Sequence, residues 1–387
     1  MTSSSAGSSE HARTSASATA RGERILRYEE VDSTGTLTGR SATFVDVEFQ
    51  GLQYADLINH KLGTPINVPM IWTNARVVES NIEGISVQDL ASVKTTLESP
   101  YSSRTIGLVR DGWLPSGIAL QDNMIVMPDR CTFSELAGRF RDGKKTNEAD
   151  KDFLDLFADH AVRINPLLFA LEGNVRRNPS REVIEQQFDL ACTTIRTSLP
   201  MAELVPSGLG GLQGAVGIAN DTQASMVNKQ ELLMRLAPKL RAPVAARRAG
   251  QLWDEVLATA KECGVPPRSL VVLAALSSAC VPNGKSPAKR LLKLNEANYS
   301  VEQAYNALAD LRSLEVLMYL FAMFPNEKIL LCTGDKDLAL FWTGIRASSF
   351  ALSNGRFEGQ FSPIEALLPN VAPEQQAAYF LTDENSL

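Results

Sequence analysis

Apolar and polar positions alternate near the start of the chain and recur at helical spacing further on. ILRYEEV (25–31) and SATFVDVEF (41–49) lie on either side of the turn-rich DSTGTLTGR, the pattern of an antiparallel hairpin. INVPMIWTNARVV (66–78) supplies a further strand, demoted toward a sheet edge by its proline. Ser86-Val87-Gln88-Asp89 reads as the opening of a short helix, DLASVKTTL. Residues 24–110 therefore form a mixed, partly β region, preceded at 1–23 by a Ser/Ala-rich stretch that reads as a disordered tail.

From about residue 115 the texture changes. GIALQDNMIVMPD (117–129) holds a short apolar run, MIVM, with Asp122 and Asp129 at its two ends. Residues 150–163 carry apolar side chains at helical spacing. Asn165-Pro166 then reads as a helix start before LLFALEG, and Asn178-Pro179 repeats the signal before a helix to about Ser198. Residues 200–228 are the loosest stretch, with the glycines of GLGGLQGAVG read as a flexible loop. Helical patterns resume at 229–237 and 243–263, and 301–324 is the strongest helix of all. It leads into KILLCTGDKDLALFW (328–342), an apolar strand that stops on Asp335 and Asp337. This order predicts an α/β fold over 111–387, a mostly parallel central sheet flanked by helices, interrupted by a helical insertion at about 196–285.

Composition narrows the chemistry. The chain has 387 residues and a net charge of −6, so a basic surface for nucleic acid would have to be local. Five scattered cysteines without a CxxC pair predict reduced thiols and a cytoplasmic protein. Three histidines, at 11, 60 and 160, leave little for a zinc site, so any metal would be a hard cation such as Mg²⁺ or Mn²⁺ held by carboxylates. No apolar stretch is long enough for a membrane span, and SLVVLAAL (269–276) reads as a buried segment.

Four acids stand in apolar settings, where an unpaired charge is costly. They are Asp122 beside MIVM, Glu172 one turn after Leu168 and Phe169, Asp310 in a polar stripe with Asn306 and Ser313, and Asp335 at the end of its strand, with Asp337 accessory. Gathering such charges implies a divalent cation among them. Each also has a local alternative. Asp335 could cap the following helix, Glu172 could pair with Arg176, Asp310 with Arg312, and Asp122 could serve an Asx-turn. Asp129 beside Arg130 reads as structural, although which of Asp122 and Asp129 is the first acid stays open.

The order of these acids resembles that of the PIN-domain nuclease family: Asp122-Asn123 near a first strand, Glu172 on an early helix, Asp310 on the helix before a later strand, and the turn of LLCTGDKDL with Asp335. The match covers roughly 115–195 and 285–350, and the distance between Glu172 and Asp310 requires the large insertion. The resemblance implies a PIN-like α/β fold and catalytic acids Asp122, Glu172, Asp310 and Asp335. It further implies one or two Mg²⁺ or Mn²⁺ ions hydrolysing RNA or DNA phosphodiester bonds, and a homodimer as the common assembly.

Arg176, Arg177, Arg181, Lys285 and Lys336 are the candidate contacts to nucleic-acid phosphates, chosen for their closeness to the acids in sequence. Two rival readings remain, a PIN-like interaction or nucleic-acid-binding module without turnover, and a P-loop NTPase. The second rests on ACVPNGKS (279–286), in which Ala279 replaces the first glycine. No G-x-S-x-G elbow supports a serine hydrolase.

Overall fold

The structure, a computed structural model, describes residues 12–18, 24–117, 124–147, 151–158, 161–174, 176–206, 208–282, 285–353 and 356–381. It is a mixed α/β protein with four sheets among the described residues. Taken together their pairings are mostly antiparallel, and the three parallel ones fall in a single sheet. The chain divides into two compact units, one comprising the residues up to Gln50 with Ile66–Ser99, the other Gly51–Pro65 with Pro100–Leu387.

The first unit is built on an antiparallel sheet. Arg24–Val31 pairs with Leu37–Val45 as the predicted hairpin, and Leu37–Val45 pairs in turn with Pro65–Ser80. Ala42, Phe44, Met70, Ala75 and Val77 are among its buried apolar positions. The expected helix DLASVKTTL is instead strand, within Leu90–Ser102, which pairs with Pro65–Ser80. Its β-branched Val93, Thr95 and Thr96 suit a pleated surface better than a helix.

The second unit holds the sheet that matters for the site. Its six strands run in the order Glu203–Leu204, Arg163–Ile164, Ile125–Pro128, Ile329–Thr333, Ile106–Val109 and Gly112–Pro115. The first four are mutually parallel, and the last two add antiparallel at one side. Ile329–Thr333 is buried at every residue, as an inner parallel strand requires. Gly112 at the hairpin corner has φ +148°, and a Cβ there would lie 2.2 Å from the Leu52 carbonyl oxygen, so only glycine fits. The Trp342 indole N–H, donating to the Val109 and Gly112 carbonyls at 3.1 Å each, ties helix Lys336–Ile345 to that corner.

Two local expectations change, and that of a buried segment at 269–276 holds. Among the described residues, the 150–163 stretch expected to be helical gives a 3₁₀ turn, Phe153–Phe157, capped by Asp152, and leads into a short strand, Arg163–Ile164; His160 lies outside the described residues. The glycine-rich 208–217 stretch opens a 32-residue helix, Leu209–Leu240. The segment 269–276 belongs to helix Leu270–Cys280, which is buried along its whole length. Among the described residues no helix is long and apolar enough to cross a membrane.

Candidate functional site

Two neighbouring parallel strands end side by side on aspartates. Their register pairs Pro128 with Cys332, and the Asp129 amide donates to the Cys332 carbonyl at 2.9 Å. Asp129 then caps helix Arg130–Arg139, accepting from the Thr132 amide at 2.7 Å. Asp335 caps helix Lys336–Ile345, accepting from the amides of Asp337 at 2.7 Å and Leu338 at 3.1 Å. Both carboxylates thus meet the positive end of a helix. Thr333 serves both acids. Its hydroxyl oxygen accepts from the Asp335 amide at 2.9 Å, and the hydroxyl lies near enough to the Asp129 carboxylate to oppose the rise in its pKa.

Two helices bring the other acids. Glu172 ends helix Leu167–Glu172, and its carbonyl accepts from the Tyr305 hydroxyl at 3.0 Å. Asp310 lies midway along helix Val301–Met323, which Ser300 and Gln303 start with a reciprocal capping box. Asp129, Glu172 and Asp310 share the wall of a cavity of about 20 Å³ with Leu171, Arg312 and Ser313. That is room for one water-sized body.

The charges at this cavity are not matched by cations bonded to them. Arg312 donates to the Leu171 carbonyl at 2.5 Å and to Asn178 Oδ1 at 3.0 Å. Arg130 donates to the Gly173 carbonyl. Among the described residues no ion pair joins Asp129, Glu172, Asp310 or Asp335. Loss of hydration, together with the charge on Asp335, holds the Asp310 carboxyl well above the usual carboxylate range. Burial also raises Asp129, against hydrogen bonds from Thr333 and Thr132, and raises Glu172, against the nearby Arg130. Asp335 rises for the same first reason, against the amides it caps. The Cys131 thiol registers all four acids. Withdrawal from water first, and then the charges on Asp129, Glu172, Asp310 and Asp335, push it up to about 11. Lys293, held at φ +56°, supplies opposing positive charge to Glu172, Asp310 and Asp335.

An all-oxygen donor set around a one-water space suits a small hard cation such as Mg²⁺ or Mn²⁺. As they stand, among the described residues, no three His, Cys, Asp or Glu side chains form a group that could hold a metal ion. The carboxylates would have to close on it.

The remaining candidates fall elsewhere. Asp122 and Asn123 lie outside the described residues, and the strand-end acid in the cluster is Asp129. Asp337 is taken by Arg290 in a two-pronged ion pair. Arg181 pairs with Glu185 at 2.9 Å, and Arg176 approaches Glu302 at 3.9 Å. The Lys336 ammonium donates to the carbonyls of Ile58 and His60. Arg177 and Lys285 are exposed. The P-loop-like ACVPNGKS follows a helix where a phosphate-binding loop needs a strand, and the Ser286 hydroxyl is buried, accepting from the Lys289 amide at 3.2 Å. Asn283 and Gly284 of that segment lie outside the described residues.

Comparison with protein-family models, with curated proteins and with solved structures finds no match to this chain.

Proposed function

We propose that the chain is a PIN-like, divalent-metal-dependent nuclease hydrolysing phosphodiester bonds of RNA or DNA, with Asp129, Glu172, Asp310 and Asp335 as its acids. The observation that carries this reading is the one-water cavity walled by Asp129, Glu172 and Asp310, with Asp335 just past the end of the adjacent parallel strand. Like charges held together without bonded cations are costly unless a cation joins them. Four contiguous parallel strands with acids at the carboxyl ends of two of them are the arrangement in which open α/β sheets place their sites. A bound Mg²⁺ or Mn²⁺ would supply charge neutralisation at the phosphate and a water of lowered pKa. The chain's own part is positional: Thr333 orients Asp129, and the first amides of helix Lys336–Ile345 orient Asp335. Five free cysteines fit work in the cytoplasm.

That no ready-made metal group stands among the described acids favours a second reading, a module that binds nucleic acid without turnover. One experiment separates them. Purified protein is incubated with single-stranded RNA and DNA and Mn²⁺ or Mg²⁺, beside Asp335→Asn and Asp310→Asn. Cleavage that requires the metal and both acids supports the nuclease. Binding without cleavage in any metal supports the module and overturns the nuclease.

A further inference from the structure

Helix Pro287–Leu291 ends on a residue that its geometry does not favour. The Leu294 amide donates to the Lys289 carbonyl at 3.1 Å, and the Lys293 amide to the Arg290 carbonyl at 2.9 Å. This pair of bonds closes a helix through a left-handed residue, a place that glycine usually fills. Here it is Lys293, at φ +56°. A side chain in that region carries strain that glycine would not. Strain of this kind gathers where a side chain serves a site.

The turn is held on both sides. Before it, Arg290 grips Asp337, two residues past Asp335. After it, the Tyr299 hydroxyl donates to the Leu292 carbonyl at 3.0 Å, just ahead of Ser300, which caps the helix carrying Asp310. Leu291, Leu292 and Leu294 are buried, and Lys293 alone of the four is part-exposed. Lys293 thus stands on a turn tied both to the helix that Asp335 caps and to the start of the helix that carries Asp310.

The other cations near these acids are spent. Arg312 bonds to Leu171 and Asn178, Arg130 to Gly173, Arg290 to Asp337, and Lys336 to the carbonyls of Ile58 and His60. Among the described residues the Lys293 ammonium has no ion-pair partner of its own. Its charge opposes the upward shift of the Glu172, Asp310 and Asp335 carboxyls alike.

Resting on the reading of these acids as a metal site, we infer that Lys293 is the built-in counter-ion of Glu172, Asp310 and Asp335, the charge against which a divalent cation must enter. Like charges held close raise one another's energy. Lys293 offsets part of that cost before any metal arrives. The same ammonium repels an incoming Mg²⁺ or Mn²⁺, so the metal is held less tightly than the acids alone would hold it. Lys293 is in this sense a positioning residue. It sets how much metal the site needs and takes no part in breaking the bond.

The test measures the Mn²⁺ affinity of full-length chains from the electron paramagnetic resonance signal of the free ion, and their melting temperatures in chelator. Lys293→Met removes the charge and keeps the strain, Lys293→Gly removes both, and Lys293→Arg keeps both. Lys293→Gly suits the turn and keeps the test open should Lys293→Met not fold. Lys293→Met and Lys293→Gly should bind Mn²⁺ about tenfold tighter than wild type, and Lys293→Arg within about twofold of it. In chelator Lys293→Met should melt about 2–4 °C below wild type, and Lys293→Arg should restore the midpoint. On an Asp310→Asn background the Lys293→Met change should cost roughly half as much or less, because one of the charges it opposes is gone. A Lys293 that merely ended its helix would make Lys293→Gly more stable than wild type with Mn²⁺ affinity unchanged, and that result overturns the inference. Folded variants that all bind Mn²⁺ like wild type would do so too, and would leave the nuclease standing. If no chain binds Mn²⁺, the nuclease reading falls and the chelator series decides the counter-ion by itself. Coupled losses at Lys293 and Asp310 then support it, and independent losses overturn it.

Discussion

Arg290 grips Asp337 from two sides, its Nε 2.9 Å from both carboxylate oxygens and its Nη2 2.5 Å from one. Two acids two positions apart in sequence therefore have different fates. Asp335 stays with the cavity acids, and Asp337 clamps helix Pro287–Leu291 to helix Lys336–Ile345. Asp337→Asn should keep cleavage within about threefold and cost about 0.5–1 kcal/mol of stability, small because both partners are part-exposed. Asp335→Asn, assayed alongside, should lose at least about 10²-fold in rate. Equal losses would return Asp337 to the reaction.

Asp310→Asn should inactivate the protein while making it more stable at neutral pH without metal. The folded state holds the Asp310 carboxyl above the unfolded range, chiefly through loss of hydration. The folded chain therefore binds the proton more tightly, and stability is greatest below the ordinary carboxylate range. It falls as pH rises through the raised value. The amide removes that slope. Melting curves of both proteins from about pH 4 to 8 in chelator should converge at the acid end and separate by about 2–4 °C per kcal/mol relieved at the other. Mg²⁺ should raise the wild-type midpoint more at the alkaline end and leave Asp310→Asn nearly unmoved.

Thr333 links the two strand-end acids through one hydroxyl. Thr333→Val keeps the shape and β preference and removes the link. Urea denaturation should show a loss of about 1–2 kcal/mol, because a buried partner is left unpaired. Cleavage should fall about tenfold with little change in KM. Unchanged kinetics would show that Asp129 does not depend on Thr333 for its orientation.

Arg312 is 2% exposed and bonds to Leu171 and Asn178, with the Tyr305 hydroxyl 3.4 Å away. Arg312→Ala should cost about 3 kcal/mol, since it orphans several buried groups and cuts the tie behind Glu172. Chemical denaturation of the purified variant measures this. A cost under about 1 kcal/mol would mean that the network is dispensable.

Elements with strong local signals were legible in the sequence. The hairpin around 32–36 and helix Val301–Met323 follow from turn chemistry, the capping box and apolar spacing. GLGGLQGAVG was not, because glycine reads as a breaker until its neighbours are known. A Cβ on Gly211 would lie 2.6 Å from Phe188 Cζ and 2.8 Å from the Pro206 carbonyl oxygen, so that residue is glycine for close packing inside a helix. Glu172, Asp310 and Asp335 stood out because each interrupts an apolar face. Asp129 could not be told from Asp122 by local pattern, since both flank MIVM; its hydrogen bond to Cys332, over two hundred residues away, places Asp129 at the strand end. Lys293, whose charge reaches Glu172, Asp310 and Asp335, was not singled out, because closeness to an acid along the chain does not predict closeness in space.

The strand Ile329–Thr333 is the last of its sheet to be made, yet it lies in the interior of the order, between Ile125–Pro128 and Ile106–Val109. On the ribosome the earlier strands wait with two open edges until residue 333 emerges, and Asp335 follows two residues later. A protein that cuts nucleic acid would thus be harmless to the message encoding it for most of its own translation.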